Sequence, residues 1–202
     1  MERSRDVRVF GMLCLMVSIV AISFAYASLT HTLDIQLSDS GDGSREKWEI
    51  VFDNISDPNI SGNAKPEGSP YIKSATTIAN FETTFYAPGD SISYTFDVEN
   101  KGTFNAKVSS IQVTNPTCIG SDSDCRNVLK HVRYALTYDD GKEIIPGDIL
   151  YSSNDKILGD NNKKLKMSLV YSNNINASEL PKNDVLITNI EAVILYEQVQ
   201  MG

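Results

Sequence analysis

Cys118 and Cys125 are the side chains with the clearest chemistry in this sequence, because they lie in one polar loop with six residues between them. In an oxidising compartment, two cysteines this close are expected to form a local disulfide. A loop this short removes little chain entropy, so the bond would mainly fix the shape of the loop. A zinc site would need further ligands, and neither His31 nor His131 completes a recognisable set.

The sequence offers little for catalysis. It contains no His-Glu-x-x-His motif, no nucleophile elbow and no phosphate-binding glycine loop. A Ser-His-Asp triad would have to use His31 or His131, the two histidines of the chain. We therefore expect a protein that is not an enzyme and that has no cofactor and no tightly bound metal. Two acidic clusters, Asp39–Asp42 and Asp122–Asp124, offer oxygen ligands for weak Ca²⁺ binding, without the spacing of an EF-hand.

The N-terminus has the pattern of an export signal. Three arginines lie within residues 1–8, and no charged residue follows from Val9 to Leu29. Ala25 and Ala27 fit the small-x-small pattern of a signal peptidase site, so we expect residues 1–27 to be removed. The uncharged run could also span a hydrocarbon core of about 30 Å, so an uncleaved membrane anchor is the alternative. In both cases residues 28–202 form one exported domain.

The net negative charge of the chain argues against some classes of binding partner. The whole chain has a formal net charge of −8, and without residues 1–27 the charge is −9. An acidic surface repels nucleic acid phosphates and anionic lipid headgroups, so neither is an expected partner of the mature domain. The mature chain is long enough for a single domain with a substantial core.

Apolar residues alternate with polar ones through most of the chain after Leu37. This period of two predicts strands with one buried face, as in antiparallel sheets, whereas no convincing helical periodicity follows Leu37. The alternating segments are Trp48–Phe52, Ile92–Val98, Val132–Tyr138, Leu165–Tyr171 and Ile190–Tyr196. The predicted fold is all-β: an antiparallel two-sheet sandwich, Ig-like or jelly-roll-like, preceded by the hydrophobic signal or anchor helix.

Two copies of one turn device support this fold. In Pro88-Gly89-Asp90 and in Pro146-Gly147-Asp148, proline fixes φ, glycine permits a positive φ, and aspartate can accept hydrogen bonds from the nearby backbone. Between Phe104 and Val113 the apolar positions change parity, which predicts a β-bulge at Ser109-Ser110 or a strand that switches sheets there.

The stretch from Tyr86 to Gly102 resembles the first conserved block of the TasA/camelysin family of biofilm-matrix fibre proteins. In that block a Pro-Gly-Asp turn leads into a strand that ends in Asn-x-Gly, here Asn100-Lys101-Gly102. The leader and the strand Thr32–Ile35 that follows it are also similar. The resemblance implies a secreted subunit with a jelly-roll-like sandwich that assembles with other copies of itself into fibres.

In such fibres, the N-terminal strand of one subunit completes the sheet of the next, which is recognition by strand addition. Here the candidate donor strand is Ser28–Leu37, in which four residues share one face: Leu29, Leu33, Ile35 and Leu37. The alternative is that this strand pairs within its own domain. The sequence thus predicts an exported structural protein of the cell surface or extracellular matrix. The alternative function is a membrane-anchored surface module for binding or adhesion.

Overall fold

A computed structural model describes residues 47–155 and 157–199, which form short β-strands, one α-helix and one turn of 3-10 helix at Ala177–Glu179. The helix is α1 (Asp122–His131). The strands in chain order are β1 (Ile50–Asp53), β2 (Asn59–Ser61), β3 (Lys65–Pro66), β4 (Tyr71–Ser74), β5 (Thr77–Ala79), β6 (Thr83–Phe85), β7 (Ser91–Asn100), β8 (Ala106–Val113), β9 (Thr117–Ile119), β10 (Val132–Tyr138), β11 (Ile149–Leu150), β12 (Asn162–Tyr171), β13 (Val185–Thr188) and β14 (Ala192–Gln198).

The first sheet is built around β7 and β12, its two longest strands. The strand order is β1–β7–β12–β10, every pair is antiparallel, and β2 pairs with a further part of β7. From Ile92 to Val98 in β7 and from Leu165 to Tyr171 in β12, every second side chain is buried, because successive side chains point to opposite faces of a strand. These buried residues are Ile92, Tyr94, Phe96, Val98, Leu165, Met167, Leu169 and Tyr171. The alternation predicted for both segments is confirmed.

The described residues form two more antiparallel sheets. The second has the order β11–β8–β14–β5–β4, and the third has the order β3–β6–β13–β9. The chain passes from one to the other between β3 and β4, between β5 and β6, between β8 and β9, and between β13 and β14. Asn80, between β5 and β6, has a positive φ of 72°, and Asn189, between β13 and β14, has a positive φ of 60°. This conformation interrupts a strand, so the described residues form three hydrogen-bonded sheets.

The core lies between the first sheet and the other two. Phe81, between β5 and β6, packs its ring on Tyr94 and Phe96 of the first sheet, with centroid distances of 5.7 and 6.5 Å. Phe85 of the third sheet stacks on Tyr171 at 5.9 Å. Buried residues of all three sheets form one hydrophobic cluster. The all-β class predicted from the sequence is therefore confirmed.

Helix α1 corrects one expectation, since the sequence predicts a polar loop around Cys118 and Cys125 and no helix after Leu37. Ser121 begins the helix by accepting a hydrogen bond from the backbone N–H of Asp124 at 3.2 Å. Acidic residues fill the first turn, and Lys130 and His131 lie in the last, which suits the helix dipole at both ends. Val128 faces the core and is fully buried. None of the helices in the described part of the chain is long and apolar enough to cross a membrane.

Two smaller expectations have different outcomes. The predicted bulge is confirmed, because Leu195 pairs with Ser110 while Tyr196 pairs with Val108, which leaves Ser109 as the extra residue. Trp48 begins a segment predicted to alternate between buried and exposed positions, together with Ile50 and Phe52, but 41% of its surface is exposed. It precedes β1, and no strand of the described residues pairs beside it.

Candidate functional site

The first Pro-Gly-Asp turn is an internal anchor of the fold. Asp90 is buried, and its Oδ2 accepts hydrogen bonds from the backbone N–H groups of Tyr86 at 2.9 Å and Ala87 at 2.8 Å. Its Oδ1 accepts a third from the N–H of Asn63 at 2.8 Å. Gly89 has a φ of +92°, as the turn requires. The carboxylate therefore joins two segments of the chain and is not open to a ligand.

The second Pro-Gly-Asp turn uses the same device at a less buried place. Gly147 has a φ of +100°, and Asp148 Oδ2 accepts hydrogen bonds from the N–H of Ile145 at 3.0 Å and the hydroxyl of Tyr138 at 2.9 Å. Burial, together with this bond to Asp148, raises the pKa of the Tyr138 hydroxyl. Burial likewise raises the pKa of Tyr196, with a smaller contribution from Tyr138. Both tyrosine hydroxyls therefore stay neutral at physiological pH, and that of Tyr138 donates to Asp148.

The Asn-x-Gly element that ends β7 is also structural. Asn100 is fully buried, and its Nδ2 donates to the carbonyl oxygens of Phe104 at 2.8 Å and Leu150 at 3.1 Å. Its Oδ1 accepts from the N–H of Gly102 at 3.0 Å. A Cβ at Gly102 would lie 2.5 Å from the carbonyl oxygen of Lys47, so only glycine fits there without a backbone shift. The residues that carry the family resemblance thus build the turn between β7 and β8.

Cys118 and Cys125 form the predicted disulfide, with their Cα atoms 5.6 Å apart. The bond joins β9 to the first turn of α1. In the same turn Asp124 is buried, and its carboxylate accepts hydrogen bonds from the N–H of Lys182 at 2.9 Å and Nδ2 of Asn183 at 3.0 Å. The helix is therefore fastened to a strand and to a loop, and both Asp124 oxygens already have protein donors. Weak Ca²⁺ binding at Asp122–Asp124 stays a prediction.

Asp124 should make stability depend on pH. The hydrogen bonds from the Lys182 N–H, the Asn183 amide and the Ser121 hydroxyl hold the pKa of the Asp124 carboxyl below its usual value of 3.8. A folded-state pKa below the unfolded one stabilises the protein above the unfolded pKa, and this contribution is lost as the pH falls through the folded pKa. We expect Asp124→Asn to lower the melting temperature by about 5 °C at pH 7, and the difference from wild type to shrink below about pH 4.

Thermal melts followed by circular dichroism between pH 7 and pH 2.5 would measure this. Asp122→Asn is the matched control, because Asp122 carries the same charge in the same helical turn but is exposed. It should change the melting temperature by less than about 2 °C at every pH. A constant difference between Asp124→Asn and wild type across the range would contradict the assignment.

Strand β10 is an edge of the first sheet, because β12 pairs with only one of its sides. The N–H of Ser172 donates to the carbonyl oxygen of His131 at 3.0 Å, so the odd-numbered residues of β10 turn their backbone groups towards β12. The even-numbered residues of β10, which include Tyr134, point their backbone N–H and C=O groups away from β12. On that side the described residues provide a single bridge, between Thr137 and Glu143.

Strand β8 has a similar open side. The N–H of Ile194 donates to the carbonyl oxygen of Thr76 at 2.9 Å, on the β5 side of β14, so Ile194 turns its backbone away from β8. Its partner Ile111 therefore turns its own backbone groups away from β14, and Val113 does the same. On this side of β8, β11 pairs only with the first two residues of the strand.

We term the space between these two edges the seam; it is bounded by Ile111–Val113 of β8 and Val132–Leu136 of β10. The two strands contact each other, and the Tyr134 hydroxyl donates to Oδ1 of Asn115 at 2.9 Å. Three apolar side chains of the seam contact the core yet are only partly buried, Ile111, Val113 and Tyr134, whereas Val132 and Leu136 are buried. Among the described residues, each of these two edges leaves backbone groups unpaired beside half-buried apolar side chains, which is what an added strand requires.

The remaining candidates are not brought together. His131 ends α1, and its Nε2 lies 3.4 Å from an oxygen of Glu179, which also pairs with Lys130. Within residues 47–155 and 157–199, no three His, Cys, Asp or Glu side chains lie close enough to hold a metal ion. Several sequence predictions lie outside the described residues: the cleavage site at Ala25 and Ala27, the donor face of Leu29, Leu33, Ile35 and Leu37, and the Asp39–Asp42 cluster.

Sequence reasoning did not identify the seam, because a residue pattern shows which face of a strand is buried and not which strand lies beside it. Comparison with protein-family models, with curated proteins and with solved structures finds no match to this chain.

Proposed function

We propose that the chain is an exported, non-catalytic structural protein of the cell surface or extracellular matrix that assembles by strand exchange. In this proposal the N-terminal strand Ser28–Leu37 of one copy pairs with the seam of the next. The observation that carries it is the seam itself, where Ile111 and Tyr134 turn backbone groups away from their own sheets. Backbone hydrogen bonds would supply affinity, and alternate side chains would supply specificity.

Two features support an exported sandwich. The Cys118–Cys125 disulfide is the kind of bond that persists in oxidising compartments and is rare in the cytosol. The chain passes repeatedly between the second and third sheets, and together these sheets cover the buried face of the first sheet. This arrangement is similar to the two layers of a jelly-roll-like sandwich. The seam would then be the open side between the two layers.

The donor strand has the pattern that the seam needs. Leu33, Ile35 and Leu37 share one face of an extended segment, so they can cover half-buried residues such as Ile111 and Tyr134 while polar residues face the solvent. The chain enters the first sheet through β1, at the opposite edge from β10 and about 14 Å away over three strand spacings. Residues 38–46 can span about 30 Å, which is enough to reach the seam of a neighbouring copy or the chain's own.

The test replaces Leu33, Ile35 and Leu37 by glutamate in the full mature chain. We expect wild type to form large assemblies that grow with concentration, and the triple variant to stay monomeric at concentrations at least tenfold higher. The melting temperature should stay within about 2 °C of the wild-type monomer, because the exchanged strand is not part of the donor's own core. Light scattering after size-exclusion chromatography, electron microscopy and thermal melts provide the three measurements.

The matched control changes the opposite face of the same strand, with Thr32→Glu and Gln36→Glu, and should assemble like wild type. Two results would contradict the proposal: a wild-type chain that is monomeric at all concentrations, or a triple variant whose melting temperature falls by more than about 10 °C. The second result would mean that the strand belongs to its own domain.

A second set of variants tests the acceptor edge. Tyr134→Pro removes an N–H that points into the seam, whereas the hydrogen bonds of β10 to β12 come from the odd-numbered residues. We expect this chain to donate its strand but not to accept one, so it should stop the growth of wild-type assemblies when added in small amounts. Tyr134→Phe keeps the N–H and is the control. If wild-type assemblies grow equally in the presence of Tyr134→Pro and of Tyr134→Phe, the edge of β10 does not accept the donor strand.

The alternative function is a membrane-anchored surface module for binding or adhesion. The uncharged run Val9–Leu29 favours it, because its length matches a membrane span. N-terminal sequencing of the native protein separates the two functions. A start at Ser28 supports the secreted subunit, and an intact N-terminus on a monomeric protein supports the anchored module.

A further inference from the structure

Two adjacent apolar side chains project into solvent just before β12. Ile157 is 99% exposed and Leu158 is 66% exposed, the highest values for large hydrophobic residues in the described part of the chain. The N–H of Leu158 donates to the carbonyl oxygen of Asp155 at 2.8 Å. A pair of neighbouring apolar side chains this exposed marks an interaction surface more than scattered single residues do.

The N-terminal segment joins the fold at the same end of the molecule. The turn after β7 is bonded on one side to the entering chain, through the N–H of Thr103 and the carbonyl oxygen of Lys47 at 2.8 Å. On the other side, Gly102 O accepts from the N–H of Ser153 at 3.4 Å, four residues before Ile157. Residues 38–46 reach at most about 30 Å. The edge of a copy that holds residues 28–37 therefore lies within about 30 Å of this end.

The opposite end carries the third most exposed of these side chains, Ile119 of β9, at 63%. Ile119 pairs with Leu186, whose neighbour Val185 pairs with Phe85. The ring of Phe85 stacks on Tyr171, the last residue of β12, whereas Ile157 and Leu158 precede the first residue of β12. A ten-residue strand is about 30 Å long, so the exposed apolar residues mark two opposite ends.

We propose that Ile157 and Leu158 of one copy pack against the Ile119 end of the next copy, in a head-to-tail contact. This inference rests on the proposed function, which brings a second copy to the Ile157 end. Because the two contacting surfaces differ, a pair of copies still has one free surface of each kind, and the contact continues as an open filament. The disulfide between Cys118 and Cys125 fixes the backbone beside Ile119.

A second copy fits this end better than a membrane does. Of the lysines near this end, Lys47 pairs with Glu49 at 2.7 Å, Lys101 with Glu99 at 3.5 Å and Lys163 with Asp160 at 3.6 Å. These ion pairs offset part of the local positive charge, and the net charge of −9 of the mature chain repels anionic headgroups.

The test replaces Ile157 and Leu158 by serine in the full mature chain. We expect the concentration at which assemblies appear to rise at least tenfold, with an unchanged melting temperature because both side chains are exposed. Ile119→Ser should have a similar effect, and the combined variant should be no worse than either alone, since each removes the same contact. Leu195→Ser is the matched control, because Leu195 is 43% exposed on the outer face of the second sheet. It should assemble like wild type.

The outcomes separate this inference from the proposed function. Normal assembly of the Ile157→Ser, Leu158→Ser chain overturns the end contact and leaves strand exchange standing. Weakened assembly of this chain, together with normal assembly of the Leu33, Ile35 and Leu37 glutamate variant, supports the end contact and overturns strand exchange. A wild-type chain that stays monomeric overturns both. Binding of that monomer to phosphatidylcholine–phosphatidylglycerol vesicles, lost in the serine variant, would reassign the pair to a lipid surface.

Discussion

Asn100→Ala should lower the free energy of unfolding by about 3 kcal/mol, because it removes three hydrogen bonds and leaves their buried partners unsatisfied. The wild-type amide donates to the carbonyl oxygens of Phe104 and Leu150 and accepts from the N–H of Gly102. The side chain is fully buried, so water cannot replace it without a rearrangement. Urea denaturation followed by tryptophan fluorescence measures the change.

Asn161→Ala is the matched control for this prediction. The Asn161 amide lies beside the same turn, but its two hydrogen bonds, to Glu99 Oε1 and the Asn100 carbonyl oxygen, are longer at 3.3 and 3.4 Å. We expect a loss below about 1 kcal/mol for it. A loss of the same small size for Asn100→Ala would show that the turn between β7 and β8 does not depend on this side chain.

Phe81→Ala should cost about 4 kcal/mol, the largest effect that we expect for a single substitution. Phe81 is fully buried where the chain passes from the second sheet to the third, and its ring packs on Tyr94 and Phe96 of the first. Truncation would leave a cavity at the point where all three sheets meet. Urea denaturation and calorimetry should both detect the loss, with a lower midpoint and a lower melting temperature.

Phe81→Leu and Tyr86→Ala provide the comparison for this prediction. Leucine keeps most of the apolar volume and should restore at least half of the stability. Tyr86 is an aromatic residue in the same stretch of chain but is 44% exposed, so its truncation should cost less than about 1 kcal/mol. Equal losses for Phe81→Ala and Tyr86→Ala would mean that the core does not close around Phe81.

The strands could be predicted because their signal is local. Ile92–Val98 and Leu165–Tyr171 alternate without a break, and the structure buries these apolar positions. The two Pro-Gly-Asp turns could also be predicted, because proline fixes φ, glycine permits a positive φ and aspartate accepts backbone hydrogen bonds. Their aspartates accept backbone hydrogen bonds as expected.

The helix and the third sheet were not predicted, and the reasons differ. In α1 the apolar positions Cys125, Val128 and Leu129 have helical spacing, but over ten residues rich in Asp and Ser this signal is weak. The third sheet arises because Asn80 and Asn189 adopt a positive φ. One asparagine carries no periodic pattern, so nothing in the sequence distinguishes it from an asparagine in an ordinary loop.

The order of the strands has a consequence for folding kinetics. Ile78 pairs with Ala192 and Phe85 pairs with Val185, so strands from the early part of the described chain find their partners near its end. Loop-closure entropy opposes such distant pairing until many contacts form together, and topologies of this kind fold in milliseconds to seconds. A chain that emerges amino end first exposes β5 and β6 before β13 and β14 exist to cover them. Folding of the second and third sheets is therefore completed only after the C-terminal strands have been released.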